Sequence, residues 1–225
     1  MPTPTASYET VQRGDVKLAV ITLQNPPVNQ LSHGVREGLQ AGMAKVRADP
    51  LVKGVVLQGS NDTFCAGADI SEFSSGLKGM FSCLLRGEED FFSSCWQGPS
   101  LPELIFELES LQVPVVASIA NFALGGGLEL ALGAHYRVCE AKAKLGLPEV
   151  NLGLLPGAGG TQRLPRITGI PFALKVIVGG VPVSSDVALK AKLVDHVAPK
   201  GSSLLEESLQ FLVSKVSYCS LSVAH

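Results

Sequence analysis

Charge is scarce in this sequence: Asp, Glu, Lys and Arg make up 17% of 225 residues and nearly cancel, leaving a net charge of −2. No block of like charge occurs, which excludes an extended basic footprint for nucleic acid or an anionic membrane. A small local basic patch for a phosphate is still allowed. Long apolar runs are missing as well. The longest, Ala117–Leu128, is interrupted by Ser118, Asn121 and three glycines and is too short to cross a bilayer. The opening Met-Pro-Thr-Pro-Thr-Ala-Ser has neither the basic start nor the apolar core of a signal peptide, and the closing Val-Ala-His is not a peroxisomal tripeptide of the Ser-Lys-Leu kind. Cysteines 65, 83, 95, 139 and 219 are odd in number and lack CxxC spacing, so reduced thiols in an intracellular compartment are expected. Histidines 33, 135, 196 and 225 have no ligand spacing, and no metal site is expected. GxGxxG, HExxH and GxSxG are all absent. Pro156–Thr161 looks like a phosphate loop, but no Gly-Lys-Ser/Thr follows it.

What is present is a 46% hydrophobic composition, enough for one sizeable core. Tyr8–Arg13 and Val16–Leu23 read as a hairpin around Gly14-Asp15. Ser32 is placed to cap a helix with Val35, Leu39, Met43 and Val46 on one face, ended by Asp49-Pro50. Gly54–Leu57, Val113–Ile119 and His135–Val138 read as strands. Leu104–Leu111, Gly127–Gly133, Gly160–Ile167, Phe172–Val178, Asp186–Ala191 and Leu204–Val216 read as helices. Strands separated by helices predict an α/β domain with a partly parallel sheet. Ser74–Pro102, with its Glu88-Glu89-Asp90 run, Phe91-Phe92 and the single Trp96, fits no regular element.

The chemistry is expected at two solitary carboxyls. Between Leu111 and Tyr136 the only Asp, Glu, Lys or Arg is Glu129, and between Leu145 and Gln162 it is Glu149. A carboxyl in apolar surroundings has a raised pKa, which suits a general acid or base near neutrality. A buried structural Glu satisfied by amides reads equally well for either residue alone. Their shared position beside glycine-rich turns favours a site. Gly125-Gly126-Gly127 stands at a helix start, where free amides and close backbone approach suit a developing oxyanion, with tight packing as the alternative. Phe64-Cys65-Ala66-Gly67-Ala68-Asp69 is a second small-residue source of amide donors. Cys65 is a weak nucleophile candidate, since nothing near it in sequence lowers its pKa. His135 reads as a packed or capping residue.

Four segments in order carry a resemblance: Asn25-Pro-Pro-Val-Asn29, Phe64–Ile70, Ala123–Ala131, and Gly146–Glu149 continuing through Gly153–Leu164. Together, from about Lys17 to Val197, they resemble the crotonase (enoyl-CoA hydratase/isomerase) superfamily. The wording is most similar to the N-terminal hydratase/isomerase region of peroxisomal multifunctional β-oxidation enzymes. The resemblance implies an α/β crotonase-like ββα spiral with an incomplete C-terminal helical part. It implies an acyl-CoA domain over 1–200, with an insertion-like segment at 80–100, and a C-terminal helix and tail over 201–225. The implied reaction is hydration of trans-2-enoyl-CoA in fatty acid β-oxidation, with Δ3-Δ2 isomerisation as a second activity. Glu129 would orient and deprotonate water for attack at C3, and Glu149 would protonate C2. The N–H groups of Ala66 and Gly126 would form the oxyanion hole. Cys65, Gly67, Ala68, Asp69, Ile70, Gly125, Pro148 and Gly157 would line the substrate. No cofactor is implied, because coenzyme A is part of the acyl-CoA substrate. A homo-oligomer, or attachment to a dehydrogenase half, and a peroxisomal rather than cytoplasmic location follow from the resemblance alone. The alternative is a non-catalytic acyl-CoA-binding or assembly isoform.

Overall fold

The structure, a computed structural model, describes residues 5–69, 72 and 98–222. Strands β1 (Thr5–Arg13) and β2 (Val16–Gln24) form the expected antiparallel hairpin, with Arg13 opposite Val16 across the Gly14-Asp15 turn. Beside β2 lie β3 (Val52–Gly59), β4 (Val115–Ile119), β6 (Tyr136–Glu140) and β9 (His196–Ala198), all parallel, in the order β1-β2-β3-β4-β6-β9. Strands covered on both faces need apolar residues at successive positions, which is why Leu18–Ile21 of β2, Val55–Leu57 of β3 and Val115–Ala117 of β4 are buried apolar runs.

Pleating sorts those residues into two cores. Ala19, Ile21, Val55, Leu57, Val115, Ala117 and Ile119 face one side, where α1 (His33–Ala48) lays down Val35, Leu39, Met43 and Val46. Leu18, Val20, Val56, Val116 and Val138 face the other, where Leu209 and Leu212 of α7 (Leu204–Ser222) cover them. The C-terminal helix therefore closes the second face of the sheet rather than trailing from the fold.

A second sheet, β5 (Phe122–Leu124), β7 (Lys144–Gly146) and β8 (Val183–Ser184), runs beside the first. The chain alternates between the two sheets. It goes from β4 through β5 into α3 (Gly126–Gly133), then from β6 through β7 into a 3-10 helix (Pro148–Leu152). Each turn of this spiral delivers a helix start to the same edge. Cys65 adds an isolated parallel bridge to Ala123, so the loop after β3 reaches that edge too. The remaining helices are α2 (Leu101–Glu109), α4 (Gly160–Thr168), α5 (Ile170–Gly179) and α6 (Ser185–Lys190).

Most of Ser74–Pro102, including almost all of 80–100, lies outside the described residues. Glu72, just before this segment, and Pro99, near its end, are tied to one buried cation. Arg36 donates from Nη1 to Glu72 Oε2 (2.7 Å) and to Leu31 O (2.7 Å), and from Nε to Pro99 O (2.9 Å).

Candidate active site

Three segments meet at the spiral's edge: the loop after β3, the start of α3, and the 3-10 helix after β7. Their approach explains the glycines. A Cβ on Gly127 would collide with the Cys65 carbonyl, and one on Gly126 would lie 2.9 Å from Leu101 Cδ2 and 3.3 Å from Ala68 N. Only hydrogen fits at Gly127, whereas at Gly126 a methyl would have to push the Leu101 side chain aside and press on the Ala68 amide. A Cβ on Gly125 would sit 3.3 Å from Glu149 Oε1, which brings Glu149 to the N-terminus of the helix that carries Glu129.

Glu129 occupies the first turn of α3 and is buried. Its Oε1 accepts from the N–H groups of Ala158 (2.8 Å) and Gly160 (2.8 Å), both in the glycine-rich turn that opens α4. Burial raises its pKa, opposed by those two amides and by the nearby Arg163. Glu149 is half-buried in the 3-10 helix. Its Oε2 is enclosed with no hydrogen-bond partner, whereas a purely structural buried oxygen is normally satisfied. Burial raises its pKa as well, opposed by its own backbone N–H and reinforced by the charge of Glu129. Each carboxyl thus has one fate: Glu129 is held by amides, and Glu149 keeps an oxygen unassigned.

The amide donors differ from the sequence expectation. Ala66 N–H donates to Val28 O at 2.9 Å, so it cannot also grip a ligand. That pairing follows from Asn29, which is fully buried. Its Nδ2 donates to Ser60 O (2.8 Å) and Thr63 O (2.6 Å), anchoring the Val28 backbone against the loop. Two residues on, Ala68 N–H points to no acceptor among the described residues, and neither does Gly126 N–H. The adjacent N–H groups left without an acceptor among the described residues are therefore those of Ala68 and Gly126.

The other expected positions differ in burial and in whether their amides are free. Cys65 is fully buried, its N–H and C=O both bond β5, and burial pushes its thiol up to about 12; it is a structural residue rather than a ligand contact or nucleophile. Gly67 accepts from Leu31 N with its carbonyl (2.9 Å) and donates weakly to Cys65 Sγ (3.4 Å), and Gly125 N–H is spent on Gly146 O (2.9 Å). These two shape the site but offer no donor. Ala68, Asp69 and Pro148 are half-buried beside it, and Gly157 is exposed with open space around it. Ile70 lies outside the described residues. His135 is exposed and holds the start of β4, its Nδ1 accepting from Val115 N at 3.1 Å. A groove of about 790 Å³ between α1 and α2 holds none of these residues. Its Glu37, Glu103 and Glu107 carboxylates are unsuited to an anionic nucleotide.

Sequence reasoning missed Ala158, Gly160 and Arg163, because a Gly-Ala-Gly-Gly turn does not reveal which carboxylate its amides will meet. Among the described residues no cluster of three His, Cys, Asp or Glu side chains is placed to hold a metal ion.

A buried acid held by main-chain amides, a second acid with an unpartnered oxygen, and two unengaged N–H groups thus meet at one edge of a two-sheet spiral. The enoyl-CoA hydratase/isomerase family model matches residues 13–218, and the chain belongs to that family. It is 46% identical over 211 residues to the "Peroxisomal bifunctional enzyme" of Danio rerio, covering 94% of this chain but 26% of that protein. It is 41% identical over 194 residues to the "Probable enoyl-CoA hydratase" of Bacillus subtilis (strain 168), covering 86% of this chain and 70% of that one. The solved enoyl-CoA hydratase from Bacillus anthracis superposes with a TM-score of 0.75 at 32% identity, covering 93% of this chain and 76% of that chain. The chain thus spans about a quarter of the length of the bifunctional relatives it matches.

Proposed function

We propose that the chain adds water across the double bond of trans-2-enoyl-CoA, giving 3-hydroxyacyl-CoA in fatty acid oxidation. The Glu149 carboxyl carries the reading: its Oε1 lies toward Gly125 at the start of the helix that bears Glu129, and its enclosed Oε2 has no hydrogen-bond partner, which a purely structural buried acid would have. The thioester oxygen accepts from Ala68 N–H and Gly126 N–H, so negative charge developing there meets preorganised donors. Water bound between the carboxyls attacks C3. A C3–O bond forms, the C2=C3 π pair moves to C2 and the thioester oxygen, and Glu129 takes the proton released by water. Glu149 delivers its proton to C2, and proton return from Glu129 to Glu149 through the next water resets the pair. The step uses only side chains and main chain, so coenzyme A enters as part of the substrate and no cofactor is called for.

Shuttling a proton between C4 and C2 would need Glu149 alone, which makes Δ3-Δ2 isomerisation a secondary activity of the same site. The relatives' names support a peroxisomal setting. An exposed apolar row of Ile170, Leu174 and Val178 on α5 supports association with a second copy. Proton NMR of crotonyl-CoA turned over in heavy water tests the reaction. Deuterium at C2 with a hydroxyl at C3 is expected; recovery of unchanged substrate from folded protein would contradict hydration.

A further inference from the structure

The Ala158–Gly160 turn that holds Glu129 is itself held from behind. Arg163 Nη1 donates to Ala158 O at 3.0 Å, and its Nε and Nη2 fork onto Glu109 Oε1 (2.9 Å) and Oε2 (2.6 Å). The guanidinium lies so close over the turn that a Cβ on Gly159 would overlap Nη1, and Gly159 takes a left-handed φ of +97°. A planar fork fixed by a bidentate carboxylate has little freedom left, so its third contact is held firmly. Glu109 ends α2, whose first residue, Leu101, packs against Gly126 at the opposite side of the site. One short helix therefore touches both the oxyanion donors and the support of Glu129.

We propose that the Glu109–Arg163 pair is a positioning device for Glu129: it fixes the Ala158–Gly160 turn so that both amides stay aimed at Glu129 Oε1. Neither residue touches the reacting atoms. The role rests on Glu129 acting as the hydratase base. The charged groups around Glu129 are Glu149 from the 3-10 helix and Arg163 from α4, with Glu109 of α2 and His135 behind the guanidinium. Arg163 favours the ionised form of Glu129, so losing its charge moves the Glu129 titration to higher pH.

The test uses the full chain with Arg163→Gln, Arg163→Lys and Glu109→Gln. It reads crotonyl-CoA kinetics across pH and the Glu129 carboxyl by ¹³C NMR titration, assigned with Glu129→Gln. In Arg163→Gln, kcat falls roughly tenfold with KM changed by less than about twofold, and the acid limb and the NMR titration both move to higher pH. Arg163→Lys returns the titration towards its original position but not kcat, because an ammonium keeps the charge and loses the fork. Glu109→Gln, on a half-exposed side chain that folding tolerates, lowers kcat with the charge of Arg163 retained. A Glu129 titration that stays in place in Arg163→Gln, or a loss confined to KM, overturns the positioning role. Wild-type protein without turnover, but with Glu129 still shifting in Arg163→Gln, would sink the hydratase reading and the catalytic part of the role with it, leaving only the electrostatic coupling of Arg163 to Glu129. Absence of both would remove both.

Discussion

Burial is the largest cause of the raised pKa at both Glu129 and Glu149, and what acts beside it differs. Glu129 is buried against amides and a cation, and Glu149 is raised partly by Glu129 itself. The proposed hydration needs Glu129 ionised and Glu149 protonated, so its rate should fall on the acid side as Glu129 gains a proton and on the alkaline side as Glu149 loses one. Removing the Glu129 charge stabilises ionised Glu149. Residual activity of Glu129→Gln should therefore show its alkaline limb at lower pH than wild type, measured as kcat/KM against pH. At Gly126 an added methyl would crowd both Leu101 and the Ala68 amide. Gly126→Ala should cost about 10²-fold in kcat, the scale of a lost oxyanion donor, while the protein remains folded by circular dichroism. The solitary glutamates were legible in the sequence because surrounding apolar residues single them out. Which amide of the Ala66–Ala68 loop stays free was not, since it depends on the Val28 carbonyl claiming Ala66 across a long gap in sequence.

Among the elements, those long enough to show a period were readable. The hairpin around Gly14-Asp15 and the Val35/Leu39/Met43/Val46 stripe of α1 stand where expected. β5, β7, β8 and β9 are two or three residues long, too short to alternate, and only the spiral's geometry makes them strands. α2 starts at Leu101 rather than Leu104 because Ser100 and Glu103 form a capping box around Pro102, a signal the apolar pattern alone overlooks. α7 is more than a tail: Leu212 is fully buried and packs where a Cβ on Gly54 of β3 would meet it. Leu212→Ala should cost about 2–5 kcal/mol in urea unfolding. A loss near zero would mean that the helix does not close that face.

For the whole molecule, two cores on opposite faces of one sheet hold a second small sheet whose edge gathers the site. The four sequence fragments that suggested the superfamily are the segments converging on that edge or bracing it, which is why their order was informative and their spacing was not. Among the described residues no helix is long and apolar enough to cross a membrane. If α5 is a self-association face, light scattering should give a multiple of the 23.6 kDa chain mass, and Leu174→Glu should reduce it to one. The reaction itself is tested most directly by the disappearance of the conjugated-thioester absorbance of crotonyl-CoA with wild-type and Glu149→Gln protein. Absorbance should fall with wild type, and the rate should drop by at least about 10²-fold in the variant, as for loss of a general acid. Equal rates in the two proteins would contradict the assignment of the proton donor and, with it, the two-carboxyl centre.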